Sequence, residues 1–109
     1  MTDRTARIRA LNDQLRQTGT GGRIMLTAGV AALPPEAMAA VLLAVQEFDR
    51  FNADNDPHEE HDFALLEAAG ERVMFKIDYY DHEMSMHSPD AANPAVTVRV
   101  FTIMLASEY

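Results

Sequence analysis

Between Asp54 and Asp62 the chain places Asp54, Asp56, His58, Glu59, Glu60, His61 and Asp62 within nine positions. Carboxylate oxygens and imidazole nitrogens at that density are the donor set of a metal loop. Two templates can be laid over them. A calcium loop starting at Asn52 puts Asn52, Asp54 and Asp56 at its first three ligand positions, but needs Gly at 57 and Glu at 63 where the chain has Pro57 and Phe63. A zinc-protease helix needs two His four residues apart, whereas His58 and His61 are three apart. A metal reading would use His58, His61, Asp54 and Asp56. Two further readings stand beside it. Asn55, Asp56 and Pro57 are turn formers whose side chains bond local N–H groups. Asp49, Asp54, Asp56, Glu59, Glu60 and Asp62 also form an acidic surface for a basic partner.

A second group is Asp78-Tyr79-Tyr80-Asp81-His82. A His–Asp pair with Tyr can do acid–base work in a cleft that shifts its pKa values. Alternate strand residues share a face, so Lys76, Asp78 and Tyr80 lie together and Tyr79 lies opposite. That reads as a polar sheet face or as a patch in which Tyr79, Tyr80 and Asp81 support partner binding. Other patterns fall away. Gly19-Thr20-Gly21-Gly22 follows a helix and precedes a strand, the reverse of a dinucleotide loop. No Gly-x-Ser-x-Gly gives Ser85, Ser88 or Ser107 a nucleophile's setting. No catalytic set and no cofactor is expected.

The elements that must position these residues come from a small chain. It has 109 residues, 9 Lys+Arg against 17 Asp+Glu, a net charge of -8 and no Cys. One domain over 1–109 is expected. Disulfides, thiolate metal sites and a cysteine nucleophile are excluded. The acidic balance argues against direct nucleic-acid binding. Met1-Thr2-Asp3-Arg4 does not open a signal peptide, and no apolar run approaches a membrane span. A cytoplasmic location and no membrane contact are the expectation. The charge is uneven: residues 1–23 hold five Arg and two Asp, while the rest of the chain is strongly acidic.

Ile8, Leu11 and Leu15 predict a helix over 3–17, ended by the glycines at 19–22. Residues 23–30 read as a short strand. Pro35 and Glu36 open a helix to about Phe51, with Met38, Val41, Leu42, Val45 and Phe48 as its apolar stripe. A polar loop at 52–62 precedes a hairpin, 63–67 and 72–80, turning at Ala69-Gly70-Glu71. Within it Val73, Phe75, Ile77 and Tyr79 face the core. The last element is open. Val96–Leu105 is rich in β-branched residues, yet Asn93-Pro94 is a helix-start signal and Thr97, Val100, Phe101, Met104 and Leu105 keep helical spacing. A helix is favoured, with a strand as the alternative. The expectation is an α+β fold in the order α-β-α-β-β-α: a small antiparallel sheet of about three strands packed by two or three helices.

The run from Phe48 to Phe63, the blocks Lys76–Asp81 and Arg99–Tyr109, and Thr27-Ala28-Gly29-Val30 resemble an uncharacterised bacterial family of small domains of unknown function. The resemblance spans about residue 8 to the end. It carries no assigned catalytic or binding residues. It implies a setting on plasmids, phages and other mobile elements, and hence a role against host defence. The functional expectation is a small acidic, non-enzymatic binding protein. It would inhibit a nucleic-acid-handling machine, in the manner of anti-CRISPR or antirestriction proteins, by occupying a basic groove on a protein partner. The alternatives are a metal-binding protein or small hydrolase using the 54–62 loop, and a general interaction or regulatory module, including a homodimer.

Overall fold

The computed structural model describes residues 2–109. Helix α1 (Asp3–Thr18) begins at Thr2, whose side chain accepts the Thr5 N–H, and carries Asp3 at its positive end. It ends at Gly19, whose φ of 76° lets its N–H turn back to the Leu15 carbonyl. Strand β1 is Arg23–Leu26. It is shorter than the sequence predicts, because residues 28–31 wind into a single turn, α2 (Ala28–Ala31). Helix α3 (Pro35–Glu47) starts with proline in its first turn, as expected. Its end comes at Glu47 rather than Phe51.

Strand β2 (Phe63–Ala68) and β3 (Glu71–Tyr80) form the predicted hairpin. The closing strand, β4 (Val98–Leu105), resolves the ambiguity of the C-terminal segment against the favoured helix. The Asn93-Pro94 signal is spent on one 3-10 turn, Pro94–Val96, before the strand begins. The sheet therefore has four strands, in the order β1-β4-β3-β2. It is mixed rather than wholly antiparallel: β4 runs antiparallel to β3 and parallel to β1. Residues 27–97, with two helices and the hairpin, join this parallel pair and return β4 to the middle of the sheet.

One sheet face is the core. Val73, Phe75, Ile77 and Tyr79 of β3 and Phe101 and Ile103 of β4 pack there against Ile8 and Leu15 of α1, Val30 of α2, and Val41 and Val45 of α3. Burying each such side chain contributes roughly 1.5–3 kcal/mol. Phe75 sits at the centre, edge-on to Phe48, Phe51 and Phe101. Among the described residues no helix is long and apolar enough to cross a membrane.

Candidate acidic binding site

The segment between α3 and β2 is a structured loop, held by its own side chains. Asn52 Oδ1 accepts the N–H groups of Asp54 and Asn55 at 2.8 and 3.1 Å. Asn55 Oδ1 accepts the Asn52 N–H at 2.8 Å, and its amide donates to the Arg50 carbonyl at 2.9 Å. Asp56 is buried, 5% exposed, and its Oδ1 accepts the N–H groups of Glu60 and His61, each at 3.1 Å. Those bonds help hold Glu59 and His61 in the left-handed region, at φ of 59° and 55°, where a side chain costs about 1 kcal/mol.

His61 clamps the loop to the body. Its ring stacks on Phe51, centroids 3.9 Å apart. Its Nδ1 lies 2.9 Å from Asp13 Oδ1 and its Nε2 lies 3.6 Å from Asp56 Oδ2. The two carboxylates stand at opposite ring nitrogens and do not converge on one point. Among the described residues no group of three or more His, Asp or Glu is placed to hold a metal ion. Of the sequence's metal candidates, His61 and Asp56 meet, whereas His58 and Asp54 are exposed.

Arg16 of α1 reaches under the loop. Its Nη1 donates to the carbonyls of Val45, Gln46 and Phe48 at 3.3, 3.1 and 2.7 Å, and its Nη2 donates to Asp13 Oδ1 at 2.9 Å. Helix α3 has no basic residue in its own last turn. Arg16 supplies both the positive charge and the donors that its terminal carbonyls need. This explains why the helix stops before Phe51. The chain turns at Phe48, and Phe51 folds back to cover the Arg16 guanidinium 5.3 Å from its ring centroid.

Glu60 and Tyr79 belong to a second, buried network. The Tyr79 hydroxyl donates to Glu60 Oε1 at 2.8 Å and accepts from Asn12 Nδ2 at 2.7 Å. Asn12 Nδ2 also donates to the Glu60 carbonyl at 3.0 Å, and Asn12 Oδ1 accepts from Arg99 Nε at 3.0 Å. Arg99, 2% exposed, donates in addition to the Ala91 carbonyl and lies 5.3 Å from the Tyr79 ring centroid. Burial lowers the Arg99 pKa, while Tyr79 and Glu60 pull it back up. Burial raises the Tyr79 pKa above the usual phenol value. The charge of Arg99 is thus answered by Glu60 through one hydroxyl and one amide.

The nine predicted partner-binding residues therefore separate. Asp49, Asp54 and Glu59 are exposed. Glu60 and Asp62 are half-buried, and burial together with the neighbouring Glu60 raises the Asp62 pKa. Asp56 and Tyr79 are buried and position the loop. Tyr80 lies on the other sheet face with Lys76 and Asp78, which pair at 2.9 Å. That hydrogen bond raises the Lys76 pKa. Asp81 Oδ1 accepts the N–H groups of Ser85 and Met86 and shapes the next loop. The Asp78–Asp81 group is thus split between two faces and a loop.

A groove of about 680 Å³ borders the acidic loop along the free edge of β2. Phe48, Leu65 and Leu66 line it, with Glu47, Asp49 and Glu67 as its carboxylates against one cation, Arg50. Glu67 and Leu65 lie in a strand whose sequence reads only as half of a hairpin, so the sequence does not single them out. The alternation of Leu65 and Glu67 on one face was the available signal.

No curated protein and no solved structure matches this chain. A family model described as "Protein of unknown function (DUF3768)" matches residues 26–108. That span holds the loop, the hairpin, the groove and the closing strand, so the chain belongs to the DUF3768 family.

Proposed function

We propose that this is a binding protein that takes a basic segment of a protein partner in the groove between its acidic loop and β2. The observation that carries the reading is the loop's construction. Asn52, Asn55, Asp56 and His61 spend their side chains on internal bonds, which leaves Asp49, Asp54 and Glu59 outward on a rigid frame. Carboxylates held in place lose little freedom on binding, which favours affinity. Apolar side chains beside Glu47, Asp49 and Glu67 suit a segment that alternates basic and apolar residues. Grooves that hold phosphates are lined with Arg and Lys. A partner from a nucleic-acid-handling defence machine, blocked in the anti-CRISPR or antirestriction manner, is the member of this class that a mobile-element setting favours.

Affinity capture from a bacterial lysate, eluted in salt steps and identified by mass spectrometry, tests the reading. The expected partner is a protein with a basic groove, released at moderate salt and lost from the Asp49→Lys/Glu67→Lys variant. Partners of ordinary charge, retained equally by that variant, would refute it.

A further inference from the structure

At the far edge of the sheet the molecule is apolar instead of acidic. Strand β1 is an edge strand, and Ile24, Met25 and Leu26 are 47%, 51% and 37% exposed. Beside it lies a groove of about 400 Å³ lined by Ile24, Leu26, Leu42, Val45, Phe101 and Ile103. None of the chain's 17 carboxylates lines it. This edge lacks the devices that usually block strand pairing: it has no proline, no lysine and no charge except Arg23 at its start.

We propose that β1 pairs with the β1 of a second copy, antiparallel and centred on Met25, to make one eight-stranded sheet. The main chain selects the register. The Thr27 N–H bonds to the Ile103 carbonyl, so Arg23, Met25 and Thr27 turn their main-chain groups toward β4. Ile24 and Leu26 turn theirs outward. Only the register with Ile24 opposite the partner copy's position 26 satisfies both, with four hydrogen bonds across the two-fold axis. The same register matches faces. Ile24 and Leu26 of both copies stay on the helix side, which joins the two apolar grooves, and Met25 meets its own copy.

Charge agrees with this pairing. Position 23 falls opposite position 27, and the Thr27 hydroxyl donates to Glu108 Oε1 at 2.6 Å. Bonds from Thr27, Leu105 and Gly29 lower the Glu108 pKa and keep it ionised. Each Arg23 therefore faces a fixed carboxylate on the other copy, twice by symmetry. For a chain of net charge -8, a groove without carboxylates also brings two copies together with less repulsion than the acidic loop would.

The test uses the absence of Cys. In the proposed register Met25 faces Met25 as a non-hydrogen-bonded pair, the close pairing that admits a disulfide. Met25→Cys should oxidise to a covalent dimer at least tenfold faster than Ser85→Cys, a control in the exposed loop after β3. Sedimentation of the unmodified protein from 1 to 500 μM should show a monomer–dimer equilibrium, with the dimer fraction rising across that range. Arg23→Glu should weaken it about tenfold, because both ion pairs across the axis turn repulsive, and Arg23→Lys, which keeps the charge, should change it little. A monomer throughout that range would overturn the proposal. So would Met25→Cys cross-linking no faster than the control, or Arg23→Glu dimerising like the parent.

Discussion

Replacing Arg16 with methionine tests whether α1 holds the end of α3 and, through it, the acidic loop. Methionine keeps the apolar stem against Phe51 and Phe75 but removes every donor. Three carbonyls, those of Val45, Gln46 and Phe48, lose their guanidinium bonds, while Asp13 Oδ1 loses one too but stays paired with His61 Nδ1 and adds little to the cost. At about 1 kcal/mol for each, with the lost charge at the helix end adding about 1, the gross cost is about 4 kcal/mol. One return offsets it. Arg16 Nε is buried without a partner, and removing it recovers about 1 kcal/mol. The expected net loss is about 3 kcal/mol, a fall in Tm of roughly 15 °C for a domain of this size. Urea unfolding followed by circular dichroism measures it, with an unchanged m-value as the sign that only the native state is affected. Arg16→Lys should lose about 2 kcal/mol, because one ammonium reaches fewer carbonyls. A loss under about 1 kcal/mol in the methionine variant would refute the reasoning and leave the α3 end satisfied by water.

Asp56→Ala strips the loop of its shared acceptor for Glu60 and His61; a loss of about 2 kcal/mol in thermal unfolding is expected, with faster proteolysis at 52–62. Tyr79→Phe leaves Asn12 and Glu60 each one bond short and should cost about 1–2 kcal/mol by urea unfolding. The Asp62 pKa is raised in the folded state, so its ionisation opposes folding; Asp62→Asn should stabilise at pH 7, and a pH series of melting curves should show the gain vanish below pH 3.8. Gly22→Ala would put its Cβ 2.7 Å from both the Arg99 carbonyl oxygen and Leu15 Cδ2. Because one of those atoms is backbone, a loss of about 2 kcal/mol is expected in the same unfolding assay.

Local signals carried much of this fold. Proline at the head of α3, the glycine after α1 and the alternation through β3 each act over a few residues, and each holds in the structure. The closing strand departs from the favoured helix for a physical reason. In β4, Arg99, Val100, Phe101, Ile103 and Met104 are all buried, because an inner strand's side chains are flanked on each face by those of the strands beside it. A strand apolar at nearly every position satisfies any period, including the helical one. The loop's turn chemistry was legible in Asn55, Asp56 and Pro57. The tie from His61 to Asp13 was not, since 48 residues separate them. Charge alone also could not tell Asp56, turned inward, from Asp54, turned out.

The Arg99 network crosses the boundary of the family match, and that has a consequence for modularity. The match begins at residue 26, while Asn12, Asp13 and Arg16 lie before it. The first helix is thus no detachable leader. A fragment cut at the family boundary would leave Arg99, Glu60 and the α3 carbonyls without the side chains that answer them.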